Sequence, residues 1–134
     1  MTRFVVDSGA VLRLVETSAE VSSAHELFAP TLLRSQTLSA LHEAVHSGTL
    51  SPETGRERLA QVGRLPIRLF GDAVLRRTAW AVADELGWDT TFTAEYVALA
   101  RLRGIALVTT DAALARAVEG VVETAPFEAL LGAT

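Results

Sequence analysis

Phe4-Val5-Val6-Asp7, near the start of the chain, and Ile105-Ala106-Leu107-Val108-Thr109-Thr110-Asp111, near its end, decide the fold. Each stretch is β-branched or aliphatic, too short for a helix, and closes on an aspartate followed at once by residues able to open one. A buried parallel strand hands over to a helix in this manner. In open α/β sheets, ligands gather outside the carboxyl ends of the strands, where strand order reverses. Two strand-end aspartates so distant in sequence are therefore expected to meet in one crevice. At about 4 Å and an effective dielectric of about 20, two carboxylates repel by about 4 kcal/mol. A fold that joins them needs a shared proton or a cation, and for oxygen donors that cation is usually Mg2+ or Mn2+. The plainer alternative is that one aspartate caps a helix and the other sits in a loop.

Working outward, the 134 residues are expected to form one domain spanning 1–134, long enough for a full core. Apolar residues make up 49% and charged residues 21%, with no low-complexity stretch, which argues against disorder. No run of about 18 uncharged apolar residues is present to span a membrane. The chain goes straight into a strand, so no signal segment is expected. With no cysteine there is neither a disulfide framework nor a thiolate zinc site, and a cytoplasmic protein is expected. The net charge of −4 argues against a general nucleic-acid coat. Arg56, Arg58, Arg64, Arg68, Arg76 and Arg77, set against Glu57 and Asp72, nevertheless make one stretch locally positive. Such a stretch either contacts phosphates or is a solvated helix face.

Between the two strand signals the pattern alternates. A short helix is expected over Gly9–Val15, and a second, capped by Thr17 or Ser18, up to about Phe28, because Val21, Ala24, Leu27 and Phe28 share a helical face. Ala29-Pro30-Thr31 reads as a break around a short strand. Leu32–His46 is a helix stopped by Ser47-Gly48, and Ser51-Pro52-Glu53 opens another to about Val62. A strand at Pro66–Leu69 precedes a helix capped by Asp72 and ended at Gly87, and a further helix covers Thr90–Arg103 with Tyr96, Leu99 and Ala100 inward. The 105–109 strand, a helix at Ala112–Val118, a strand at Val121–Glu123 and one or two turns over Pro126–Leu131 complete the reading. The fold class is α/β: a three-layer sandwich with a central parallel sheet flanked by helices.

The chain resembles the PIN-domain family, and within it the VapC-type toxins of bacterial toxin–antitoxin pairs. The segments that carry the resemblance are Val6-Asp7-Ser8-Gly9-Ala10, Ala29-Pro30, Glu95-Tyr96-Val97-Ala98-Leu99-Ala100 and Leu107-Val108-Thr109-Thr110-Asp111 with Leu114-Ala115, in that order. The resemblance implies a metal-dependent endoribonuclease whose acidic side chains hold Mg2+ or Mn2+ at strand carboxyl ends. It also implies an RNA substrate, a cognate VapB-like antitoxin and a homodimer.

Asp7 and Asp111 match the family's acids. Thr109 matches its hydroxyl, which is placed to hydrogen-bond a metal-holding carboxylate. Two positions depart: Gln36 stands where the long helix normally presents a glutamate, and Thr93 where the later helix normally opens with an aspartate. Glu95 is the expected third metal ligand, although a two-residue step from Thr93 turns it about 200° around the helix. Asp89 and Glu43 are the other acids available, with surface or capping roles as the alternative for all three. Gln36 is expected in the catalytic site, giving an amide oxygen or orienting the attacking water. With this reduced cluster the alternative function is a catalytically silent PIN domain that binds RNA or a partner protein.

Two rivals carry less. His42-Glu43-Ala44-Val45-His46 matches the zincin pattern formally, but no histidine follows to supply a third ligand. These histidines read as surface or interface residues. A receiver-type domain also places aspartates at strand ends but requires a late lysine, and the chain contains none.

Overall fold

The computed structural model describes residues 2–132. Five strands, β1 (Thr2–Val6), β2 (His25–Pro30), β3 (Ile67–Phe70), β4 (Ala106–Val108) and β5 (Thr124–Ala125), form one parallel sheet in the order β3-β2-β1-β4-β5. Helices α1 (Ser8–Thr17), α2 (Leu32–His46), α3 (Pro52–Arg64), α4 (Ala73–Leu86), α5 (Phe92–Arg103) and α6 (Ala112–Ala117) flank it, with a closing 3-10 turn at Phe127–Leu130. The expected α/β sandwich is what the chain forms. Among the described residues no helix is long and apolar enough to cross a membrane.

β1 is central because Phe4, Val5 and Val6 are buried on both faces, as only an interior parallel strand tolerates. The chain starts at this strand and steps outward through β2 to β3. It then returns across the sheet to β4 on the other flank of β1. Strand order thus reverses between β1 and β4, the two strands that end on the aspartates. Helix α5 is buried from Ala94 to Ala100 except at Glu95, because it lies between the sheet and α4. That central run, apolar but for Glu95, needs an enclosed place. Helices α1, α2 and α3 pack on one another as a second group.

Two expected elements differ. Residues 18–24 are not helical, and β2 begins where a helix was expected to finish. Helix α1 is stopped at Ser18, which takes a left-handed φ of 53° and returns its N–H to the Leu14 carbonyl. The following loop spends its backbone bonds on distant chain: Ser22 donates to the Leu130 carbonyl, and Val21 bridges Leu131. Leu27, Phe28 and Ala29 are buried consecutively, a both-faces pattern that the helical spacing of Val21, Ala24, Leu27 and Phe28 only imitates. Pro30 closes β2, and Thr31 resumes pairing by donating to the Phe70 carbonyl. The last strand is displaced from Val121–Glu123 to Thr124–Ala125. Val121 and Val122 instead close a turn onto the Val118 carbonyl, with Gly120 at φ 79°.

Candidate metal centre

Parallel strands put all their carboxyl ends along one edge, so Asp7 after β1 and Asp111 after β4 emerge side by side at the reversal point. The Asp7 N–H donates to the Val108 carbonyl at 3.3 Å, which ties the two strand ends together. Both aspartates also cap helices. Asp7 Oδ1 accepts from the Ala10 N–H at 2.9 Å, and Asp111 Oδ1 accepts from the Ala113 and Leu114 N–H groups at 2.9 and 3.2 Å. The capping reading and the shared-crevice reading therefore hold together.

Thr109 links the pair. Its buried hydroxyl accepts the Asp111 N–H at 3.0 Å, which leaves the hydroxyl proton for Asp7. Burial pushes the Asp7 carboxyl above the usual carboxylate range. Hydrogen bonds from Thr109 and the Ala10 amide pull the other way, and the Asp111 charge adds to the rise. Among the described residues neither aspartate belongs to an ion pair. Gly9 permits the approach: a Cβ at this position would stand 2.8 Å from Thr110 Oγ1 and require that side chain to shift.

The remaining expected residues are distributed around this pair. Gln36, half-buried on α2, accepts a hydrogen bond at 2.5 Å from the hydroxyl of Tyr96 on α5. Tyr96 is buried, and its phenol is pushed well above its ordinary pKa by burial first, then by the charges of Asp7 and Glu95. Glu95 does not line the hollow that holds Asp111. It lines a groove of about 690 Å³ with Arg76, Arg77, Trp80 and Thr91, where burial raises its pKa and the Arg76 charge opposes the rise. Thr93 and Asp89 share a smaller hollow with Asp111. Glu43, His42 and His46 are exposed on α2, and His42 lines the α2–α3 crevice. Among the described residues no three His, Asp or Glu side chains form a ready-made metal cluster.

The locally positive stretch is dispersed by the fold. Arg56 lines the α2–α3 crevice, Arg64 lines a cleft with His25 and Gln61, and Arg68 lies over the Phe28 and Phe70 rings. Arg76 and Arg77 alone among the six line the groove that holds Glu95. Tyr96 is the residue that sequence reasoning missed as a member of the site. Its signal was present, since a phenol on an inward face must bring its O–H to a partner.

The donor set fits a hard divalent cation: two carboxylates without a cationic partner and a hydroxyl between them. A doubly wound sheet with acids at its reversal point is the architecture of PIN-type domains. The structure aligns with PAE2754 from Pyrobaculum aerophilum at a TM-score of 0.72, with 22% identity over 96% of this chain and 92% of that one. It aligns with a chain of VapBC2 from Rickettsia felis at 0.67, with 9% identity over 93% and 98%. In sequence the chain is 31% identical over 120 residues to Ribonuclease VapC3 of Mycobacterium tuberculosis, covering 84% of this chain and 85% of that protein. No family model matches. The chain belongs to the VapC family of PIN-domain ribonucleases.

Proposed function

We propose that the protein is the toxin of a toxin–antitoxin pair, an endoribonuclease that depends on a divalent cation, Mg2+ or Mn2+. The observation that supports this most is the unpaired Asp7–Asp111 couple at the sheet's reversal point, in a chain 31% identical to a ribonuclease. In this reading a single domain over 1–134, at work in the cytoplasm, takes RNA as substrate. A VapB-like antitoxin and a second copy of the chain are its partners, in keeping with its likeness to VapBC2.

Asp7 and Asp111 hold the ion, with Glu95 as the third acid of the site. When bound, the ion polarises a phosphoryl oxygen and lowers the pKa of an attacking water. The chain's own groups do the rest. Caps on α1 and α6 fix one oxygen of each aspartate, so that the carboxylates are aimed before RNA arrives. The Thr109 hydroxyl keeps them in register. Arg76 and Arg77 line the α4–α5 groove beside Glu95 and suit the RNA backbone.

Cleavage of structured and single-stranded RNAs in Mg2+, Mn2+ and chelator tests the reading. Ion-dependent cleavage that Asp111→Asn abolishes is the expected result, and cleavage that survives in chelator overturns it. Gln36 and Thr93, in place of acids, favour one second reading: a catalytically silent domain that binds RNA or a partner protein. Tight RNA or antitoxin binding without cleavage in any divalent cation selects it.

A further inference from the structure

We infer that Tyr96 is a positioning residue that fixes Gln36 as a hydrogen-bond donor to an RNA phosphate beside Asp7, and not as a ligand of the cation. The inference rests on the ribonuclease reading for its substrate and on the Tyr96–Gln36 pair for its geometry. The separation of 2.5 Å between the phenol oxygen and Gln36 Oε1 belongs to the O–H···O range and is short for N–H···O. This sets the amide's orientation: Oε1 takes the tyrosine proton, and Nε2 keeps two N–H donors.

Among the described residues Nε2 has no hydrogen-bond partner, and it is not one of the buried unpaired polar atoms, so it opens toward solvent. An amide oxygen already engaged by a short O–H donor is a weak ligand for Mg2+, which prefers carboxylates, phosphates and its own waters. The free amide N–H groups are suited to an anion. Asp7 and Asp111 otherwise meet an incoming phosphate with negative charge, and a fixed neutral donor meets it with a charge-assisted hydrogen bond. A glutamate at position 36 supplies no such donor. The bond joins α2 to α5 across 60 residues of sequence, and Tyr96 itself is only 2% exposed, so the amide is held by an element that cannot swing away.

The test uses the full chain with Tyr96→Phe, Gln36→Met and the double variant, and reads three quantities. Nuclear magnetic resonance of the Gln36 side-chain amide is expected to show one ordered N–H pair in the parent and an averaged pair in Tyr96→Phe. Calorimetry with Mn2+ alone is expected to give affinities within about twofold of the parent in every variant. Affinity for a short single-stranded oligoribonucleotide in Ca2+ is expected to fall about tenfold in either single variant and no further in the double, as expected of one charge-assisted bond. A tenfold loss of Mn2+ affinity in Gln36→Met overturns the inference by making Gln36 a metal ligand. RNA affinity unchanged in Tyr96→Phe but lowered in Gln36→Met overturns the positioning role. If the parent binds no RNA at all, the ribonuclease reading falls with the donor role, while the amide resonances still report whether Tyr96 fixes Gln36.

Discussion

Two acidic pairings, one at the sheet edge and one on the α4–α5 surface, are handled in opposite ways. On the surface, Glu85 receives both guanidinium nitrogens of Arg101 at 3.1 and 2.7 Å, and the arginine holds its carboxyl below the usual range. At the sheet edge, Asp7 is half-buried beside a second carboxylate with no cationic side chain to answer it, and its carboxyl is raised. The folding energetics of the metal-free chain account for the first arrangement, since an exposed bidentate pair is nearly neutral. They do not account for the second. A protein that desolvates a carboxylate at a strand reversal, sets a second one beside it and holds each by its helix cap stores an unfavourable term that a ligand is positioned to relieve.

The sharpest way to break this contrast is to remove one anchor. Asp111→Asn and Asp7→Asn are each expected to lower ion-dependent RNA cleavage by about a hundredfold or more, since even indirect supports of metal ligands are typically worth ten- to hundredfold. Parent-like cleavage in either variant contradicts the metal assignment. Next in size is Glu95→Gln, expected to weaken Mn2+ binding at least tenfold, about 1.4 kcal/mol, in calorimetry. Unchanged affinity leaves a two-carboxylate site and makes Glu95 a neighbour of Arg76 only.

The contrast is sharpened by adding charge. Gln36→Glu with Thr93→Asp places two more acids near the pair, so melting in chelator is expected to come earlier and the Mg2+-induced rise in Tm to exceed the parent's. An equal rise shows that these positions do not line the ion's site. A smaller effect separates charge from structure. Asp7 binds its proton more readily folded than unfolded, so the cost of its charge is absent at low pH. That cost appears as pH rises from the unfolded value of 3.8 through the raised folded value. Metal-free stability falls over that window, and Asp7→Asn, which keeps the cap, is expected to melt higher than the parent in chelator at pH 7, with the gap closing toward about pH 4. Smallest of all, Glu85→Gln is expected to leave Tm in chelator and Mn2+ affinity indistinguishable from the parent, the outcome for an exposed pair.

Much of this organisation was legible in the residues. Asp72 and Ser51 announced helix starts, and the structure shows each side chain accepting from the backbone it was expected to cap, while Asp7 takes the capping role that the plainer alternative allowed one of the two aspartates. The two sites that sequence spacing misplaced have different causes. Residues 18–24 satisfy part of their backbone through tertiary pairing, Ser22 with Leu130 more than a hundred residues away, and residues 121–122 through a tight turn onto Val118 that an apolar run does not announce. The arginines from 56 to 77 are a further instance. Contiguous in sequence, they are parted by α3, β3 and α4 into crevice, ring face and groove.

The sequence by itself determined most of the helices, the strands that end on Asp7 and Asp111, and the parallel sheet that their alternation requires. Each of these follows from periodicity and capping chemistry, which act over a few residues. Tertiary structure alone decided that β4 returns to lie against β1 rather than extending the sheet beyond β3, and this is what brings the two carboxylates together. It alone set the Tyr96 hydroxyl on the Gln36 oxygen and turned Glu95 into the groove with Arg76. These outcomes depend on which distant surfaces bury one another best, a property of the whole packed core and of no segment within it.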